Sequence, residues 1–377
     1  MRILHVYRTF FPDTQGGLEE VIRQICVGTQ RLGAQTSVLT TSKVARTTQI
    51  VHVDGIEVIQ VPETFEWASC NVARTMFGTF RDRARSADVV HYHYPWPFQD
   101  VLHLTQTTQA ATVVTYHSDI IRQRMLNLLY QPLRERFLAS ADRIVCTSPN
   151  YFATSDVLSA HSHKVDVIPI GIDPNSYVSA TSADLQAARA AFGENFFFFV
   201  GVLRYYKGLH ILLEAIQGAP YQVVIAGSGP TERALKQQAA ALGLTNVTFA
   251  GRITNAMKAA LFQLSQAVVF PSYLRTEAFG VTLLEGAMYG KPLISTEIGS
   301  GTSHINVDRH TGRVIAPGSA RMLRKAMDQL HADPAQAQQW GRQARARYEQ
   351  LFTGRQMAQQ YSRLYAAVIA QRNSLGA

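Results

Sequence analysis

Two carboxylates, Glu277 and Glu285, stand with seven residues between them in Ser272-Tyr-Leu-Arg-Thr-Glu277-Ala-Phe-Gly280-Val-Thr-Leu-Leu-Glu285-Gly-Ala-Met-Tyr-Gly290-Lys-Pro. On one continuous helix they would lie about 80° apart at ~3.6 residues per turn. A polar loop carrying Glu277, followed by a helix that starts near Phe279 or Gly280, suits them better. The free backbone N–H groups at such a start, around Ala278, Phe279 and Gly280, suit a phosphate. Glu285, two turns on, can accept hydrogen bonds from paired hydroxyls such as those of a ribose. Glu277 can hold a sugar hydroxyl beyond the phosphates, so one segment could grip three parts of a nucleotide sugar. The plainer alternative is a capped amphipathic helix with two surface glutamates. Against it, Phe279, Leu283, Leu284, Ala287 and Met288 form a buried stripe, and Gly290-Lys291-Pro292 ends the helix before a strand, Leu293-Ile294-Ser295.

Other loops offer cations or open backbone. In Val200-Gly-Val-Leu-Arg204-Tyr-Tyr-Lys207-Gly208 a strand ends at Leu203 and a helix follows Gly208. Arg204 can bind a diphosphate bidentately and Lys207 as a point charge. Two cations on an exposed loop are the plain alternative, but the preceding run of four phenylalanines makes this the mouth of a buried strand. Gly16-Gly17, between the first strand and the first helix, lets backbone approach an anion, although a simple strand-to-helix turn is about as good a reading. The spacing GxGxxG is absent. His117 follows the strand Thr112–Tyr116, at the carboxyl end where ligands bind in such sheets. A hydrogen-bonded histidine at a strand end is the competing account, and His91 and His93 near another strand end compete for the role. Gly227 in Ala226-Gly-Ser-Gly-Pro230, and Arg252 and Ile253 after Gly251, are each common turns taken singly.

Together these segments resemble the paired-glutamate signature and loops of the retaining glycosyltransferases with a GT-B fold, in the large family four. The resemblance runs along nearly the whole chain. It implies that the glycine-rich loop, Gly16 and Gly17 here, lies near the donor phosphate and the acceptor. It implies that His117, in Thr-x-His-x-Asp, lies beside the donor sugar and the anomeric centre, and that Gly251-Arg252-Ile253 meets the nucleobase through its backbone. Lys207 matches in place. The family usually has arginine directly after the first glycine of its loop; here that position is Val202, and Arg204 is expected to take over. Gly299-Ser-Gly-Thr-Ser-His304 departs from the commoner Pro-Glu loop. With the Arg204–Lys207 loop it is similar to bacterial polysaccharide and O-antigen enzymes that transfer mannose or rhamnose from GDP-sugars.

Short apolar, β-branched runs alternate with helical patterns, the rhythm of parallel sheets covered on both faces. Strands are expected at 3–7, 36–41, 56–61, 89–92, 112–116, 143–147 and 165–170, with helices at 17–32, 126–139 and 151–160. After the punctuation at Gly171-Ile-Asp-Pro-Asn175 a second series begins, with strands at 196–203, 222–226, 247–250, 267–271, 293–296 and 313–316. Its helices are expected at 209–216, 231–242, 255–264, 280–289, 320–332 and 334–351. The expected fold class is α/β, a GT-B fold of two doubly wound Rossmann-like domains facing a central cleft. Residues 1–170 would be the acceptor-binding domain and 171–355 the donor-binding domain. In the resembled family the terminal helix, 356–377 here, packs back on the first domain.

Composition narrows the partners. The net charge of +9 lies mostly in the second half, where residues 171–377 carry 20 Lys+Arg against 12 Asp+Glu, and residues 1–170 carry 16 against 15. Such a balance fits phosphate-bearing ligands or an anionic surface. Nucleic acid is not expected, because no aromatic residues interleave with basic runs as stacking platforms. Three cysteines without metal spacing read as thiols in a reducing compartment. No run reaches the ~18 apolar residues of a membrane span, so a cytoplasmic protein is expected. Arg74, Arg81, Arg83 and Arg85 cluster in the first half. Arg122, Arg124, Arg134 and Arg136 flank a stripe of Leu126, Leu129, Leu133 and Phe137, which can rest on anionic lipid. Sequence alone favours an ordinary core-facing helix there. The resemblance raises peripheral contact with the inner face of the cytoplasmic membrane, because many relatives act on lipid-linked acceptors.

The expected activity is therefore transfer of a hexosyl group from a nucleotide sugar to a saccharide or polyprenyl-diphosphate-linked acceptor, with retention and no essential metal or other cofactor. His117, Arg204, Lys207 and Glu277 are expected to be the catalytic residues. The rivals are another GT-B enzyme, such as a sugar phosphorylase or a nucleotide-sugar epimerase, and a non-catalytic sugar- or nucleotide-binding protein.

Overall fold

The computed structural model describes residues 1–68, 70–106, 108–120 and 124–376, with the side chains of 124–127, 375 and 376 outside that description. The chain forms two compact units, Met1–Gly171 with Gly354–Ala377, and Ile172–Thr353, so it passes from one to the other twice.

The first unit is built on β1 (Arg2–Val6), β2 (Gln35–Ser42), β3 (Gln49–Val53), β4 (Ile56–Pro62), a small hairpin of β5 (Phe65–Trp67) and β6 (Cys70–Val72), β7 (Val89–Tyr94), β8 (Ala111–Tyr116), β9 (Arg143–Cys146) and β10 (Val165–Val167). Eight of these make one sheet in the order β10-β9-β8-β7-β1-β2-β4-β3. Its ladders are parallel except for the edge pair β3–β4. Strands buried on both faces explain the continuous apolar runs that marked them in the sequence. The helix Gly17–Gln30 packs Ile22 and Cys26 onto Val38 and Val58, with Tyr7 and Phe10 beneath. Each such apolar side chain contributes about 1.5–3 kcal/mol when fully buried. Helix Gly354–Gly376 lies against the same helix and against β8. A Cβ at Gly28 would sit 2.6 Å from the Ala358 methyl, so glycine there permits the close crossing.

Four expectations change in this unit. The helix expected over 151–160 is two short helices, Pro149–Ala153 and Asp156–Ala160. The Ser155 hydroxyl caps the second by accepting from the Leu158 N–H, which breaks the run. The strand expected to 170 stops at Val167, and that expected to 92 continues to Tyr94. The helix expected over 126–139 spans Arg124–Ser140, but its apolar positions are not buried alike, Leu133 being half-buried. Leu129 is 80% exposed and Leu128 68%, whereas Phe137 is buried. Arg134 is buried and pairs with Glu135 at 2.8 Å. Arg122 lies outside the described residues, as do the side chains of Arg124 and Leu126. Among the described residues no helix is long and apolar enough to cross a membrane.

The second unit carries β11 (Phe197–Val200), β12 (Val223–Ala226), β13 (Val247–Gly251), β14 (Ala267–Phe270), β15 (Leu293–Thr296) and β16 (Gly312–Ile315), all parallel in the order β13-β12-β11-β14-β15-β16. The order reverses beside β11, where chain connections diverge and leave a crevice at the carboxyl ends of the strands. Phe197, Phe198 and Phe199 are buried, with Phe198 edge-on to Phe262 at 5.0 Å. Lys291, after the predicted helix stop, reaches back to donate to the carbonyls of Gln263 and Ser265, both at 2.8 Å. It caps the helix Asn255–Leu264. Burial pushes its ammonium down to about 8.

Candidate active site

The loops that leave β11 and β14 meet in the second unit. The backbone N–H of Tyr273 donates to the Tyr206 carbonyl at 3.0 Å, and the Thr282 hydroxyl donates to the Val200 carbonyl at 3.0 Å. Gly208, in the left-handed region at φ 71°, presses against Pro271: a Cβ there would overlap the Pro271 carbonyl oxygen. This contact brings Lys207 and Glu277 together, and the Lys207 ammonium forms an ion pair with Glu277 Oε2. Both side chains are only 12% exposed. The ammonium also lies 4.6 Å from the Phe270 ring centroid. A largely buried charge pair of this kind keeps its electrostatic strength because little water screens it. Arg204, three residues before Lys207, is exposed.

Glu277 stands in a loop, as the residue pattern predicted. The helix begins after Gly280 and spans Val281–Met288. No side chain caps its start, so the first-turn N–H groups rely on other acceptors. The loop Gly299–His304 backs this turn, with the Gly301 N–H donating to the Ala278 carbonyl at 2.8 Å and Phe279 buried against it. Glu285 lies on the helix beyond, with its Oε1 accepting from Lys258 at 2.7 Å. Its side chain is nearly buried. The sequence reading missed Lys258, whose only signal was a single cation on the helix before β14.

Gly227 lies at the end of β12 with φ 120°, and a Cβ on it would overlap the carbonyl oxygen of Gly201. Its N–H donates to the Gly251 carbonyl at 2.7 Å. The glycine thus locks the loops after β11, β12 and β13 to one another at the carboxyl edge of the sheet. Arg252 is exposed and Ile253 half-buried just beyond Gly251. Arg204, Lys207, Gly227, Arg252, Ile253, Ala278, Phe279, Gly280 and Glu285 therefore all follow strands of one sheet, with Glu277 among them.

Gly16, Gly17 and His117 belong to the first unit. Gly16 precedes the helix Gly17–Gln30, and the Glu19 carboxylate lies tight against it: a Cβ on Gly16 would sit 2.5 Å from Glu19 Oε2. Glu19 also accepts from the Thr9 hydroxyl at 2.9 Å. That helix start already carries negative charge on Glu19 and Glu20, which weakens its pull on an anion.

His117 follows β8 and is 6% exposed. Its Nε2 lies 3.0 Å from His93 Nδ1, and His93 Nε2 lies 3.0 Å from His5 Nδ1. His91 lies tilted beside them, its Nδ1 2.8 Å from the Tyr365 hydroxyl and its Nε2 2.7 Å from the Thr115 hydroxyl. Of the histidines that competed for one role in the sequence, His93 and His117 thus lie in one buried hydrogen-bonded row with His91 beside it, and His5, which the sequence reading passed over, completes the row. The signal was present in the strand register, which sets His5 opposite His91. Burial pushes His5 and His117 down to about 3 and holds His91 and His93 well below the usual imidazole range. All four rings are therefore neutral near pH 7. Asp119, the aspartate of Thr-x-His-x-Asp, accepts from the hydroxyls of Tyr116 at 2.8 Å and Ser155 at 3.2 Å. Among the described residues, the one group with metal-ligand proximity is His5, His91 and His93, with ligand atoms within 4.8 Å of one another. Five of their six ring nitrogens are already engaged as described, which argues against a resident ion.

Residues 15–176 match the family model described as Glycosyltransferase Family 4, and residues 183–347 match Glycosyl transferases group 1. The chain is 51% identical over 353 residues to the D-rhamnosyltransferase WbpZ of Pseudomonas aeruginosa, covering 94% of this chain and 92% of that one. It is 45% identical over 373 residues to O-antigen chain mannosyltransferase C of Escherichia coli, covering 99% and 100%. The solved structure of Anabaena HepE in complex with UDP-glucose superposes with a TM-score of 0.78 at 17% identity, over 97% of this chain and all of that one. That last likeness is one of fold.

Proposed function

The chain belongs to the glycosyl transferases of group 1, enzymes of GT-B fold, and from that premise we propose that it moves a mannosyl or rhamnosyl group from a GDP-sugar to a growing bacterial surface polysaccharide. The acceptor in this reading is a saccharide or a polyprenyl-diphosphate-linked saccharide. The sugar choice follows the two relatives of highest identity given above, a D-rhamnosyltransferase and an O-antigen mannosyltransferase. The observation that carries the reading is the Lys207–Glu277 pair set beside the uncapped helix start after Gly280.

In the proposed mechanism Lys207, Arg204 and the helix start stabilise charge on the departing diphosphate. Glu277 orients Lys207 through Oε2 and offers Oε1 to a hydroxyl of the donor sugar. Glu285 and Lys258 hold the ribose, and the backbone at Arg252–Ile253 meets the base. Glu277 is tied to Lys207 and so is a poor nucleophile for a double displacement. The acceptor hydroxyl instead attacks the anomeric carbon on the face the diphosphate leaves. The C1–O bond to phosphate breaks as the new C1–O bond forms, a donor phosphate oxygen takes the proton, and configuration is retained. His117 faces the sugar. Fixed cations supply the charge a divalent ion would otherwise bring, so none is required.

A thermal-shift screen tests the donor, because a ligand held by the native state raises its stability. GDP-mannose or GDP-rhamnose should raise Tm, and transfer should proceed equally with magnesium or EDTA. A rise with UDP-sugars alone, or loss of turnover in EDTA, would overturn that part of the reading. We also propose contact with the inner face of the cytoplasmic membrane, where exposed Leu128 and Leu129, with exposed Arg136 about two turns on along the same helix, would touch anionic lipid. Sedimentation with phosphatidylglycerol vesicles should carry the protein down, and Leu128→Ser/Leu129→Ser should leave it in the supernatant. Equal sedimentation of both proteins would remove this surface.

A further inference from the structure

The buried row of histidines in the first unit has a direction. Three rings share two hydrogen bonds, His5 Nδ1 to His93 Nε2 and His93 Nδ1 to His117 Nε2, each at 3.0 Å. A neutral imidazole carries one N–H and one bare acceptor nitrogen. His93 must then donate at one bond and accept at the other, and only two arrangements remain. In one, His117 donates to His93 and His93 donates to His5. That arrangement forces the His5 proton onto Nε2, a buried atom without a hydrogen-bond partner among the described residues. In the other, His5 donates to His93 and His93 donates to His117, leaving His5 Nε2 as a bare lone pair. Buried N–H groups without an acceptor are rarer in native proteins than acceptors left short of a donor.

We propose that His5 and His93 are positioning residues that set the tautomer of His117, holding its proton on Nδ1 by donating along the row from His5 through His93. Nε2 of His117 is taken by His93, so the ring has a single N–H to offer and no free basic nitrogen. His117 then acts as a hydrogen-bond donor to a sugar oxygen and cannot remove the acceptor's proton. His91 does not join the row, because its two nitrogens face the hydroxyls of Tyr365 and Thr115. The inference deepens the reading of His117 as the sugar-facing group and rests on it for its meaning, though not for its measurement.

Long-range ¹H–¹⁵N correlation on the ¹⁵N-histidine-labelled full chain reads the tautomers without donor or acceptor. Signals are assigned by their loss in His93→Gln and His117→Gln. His93 and His117 should both show the Nδ1–H pattern at pH 7, unchanged by EDTA. In His93→Phe the His117 ring loses its partner and should move to the Nε2–H pattern that free imidazole side chains favour. An Nε2–H or doubly protonated His117 in the unsubstituted protein overturns the proposal. So does a pattern that shifts with EDTA, or one that stays Nδ1–H in His93→Phe. Turnover of His117→Gln separates the two readings: unchanged transfer would remove His117 from the sugar while leaving the tautomer result standing.

Discussion

Lys207→Ala is expected to lower kcat/KM for the nucleotide sugar by about 100-fold, or about 2.7 kcal/mol, the scale seen when one fixed donor to a developing anion is removed. The effect is large because the ammonium is 12% exposed and water cannot replace it cheaply. It is larger still because the substitution leaves the Glu277 carboxylate without its cation beside an anionic ligand. Glu277→Ala should cost at least about tenfold, since Lys207 loses its anchor but keeps its charge. The double variant should then be no worse than Lys207→Ala alone, because removing the stranded carboxylate relieves the repulsion. Steady-state kinetics on the three variants, with circular dichroism confirming the fold, test the coupling. Turnover of Lys207→Ala within twofold of the unsubstituted enzyme would remove the lysine from the diphosphate.

Gly227→Ala is expected to destabilise the second unit by on the order of 3 kcal/mol, at the upper end of what single substitutions cost. Two terms combine. The residue has φ 120°, which a side chain strains, and the new methyl overlaps the Gly201 carbonyl oxygen. Backbone cannot swing aside as a side-chain tip can, so the end of β11 must move and carry the Lys207 loop with it. Gly243→Ala is the control: its φ of 63° is also left-handed, but nothing lies within 4 Å of the added carbon. That variant should lose only about 1 kcal/mol. Thermal or urea unfolding compares them. Equal midpoints would show that the loops at the carboxyl edge have slack.

Much of the second unit was legible because its strands are short apolar runs in a fully covered parallel sheet, and because glycines mark both ends of the helix Val281–Met288. The elements that escaped are those with weak patterns or few residues. Strand β3 is a largely exposed edge, so Gln49–Val53 lacks the apolar run of its neighbours. The helix Ser182–Phe192 had a local signal, the reciprocal hydrogen bonds of Thr181 and Asp184 at its start, but little apolar periodicity to draw notice. In the site, residue types identified Lys207 and Glu277 separately. Their pairing depends on how two loops pack around Gly208, and no spacing along the chain encodes that. The histidine row was hidden for a related reason: strand order, rather than sequence distance, sets β7 between β1 and β8 and so His93 between His5 and His117.

The helix Gly354–Gly376 completes the first unit, and its Tyr365 hydroxyl meets His91 beside the histidine row. A ribosome makes residues 172–353 before that helix exists. The domain begun first is therefore the last that can be finished, and through most of translation its His91 waits without the tyrosine that later meets it.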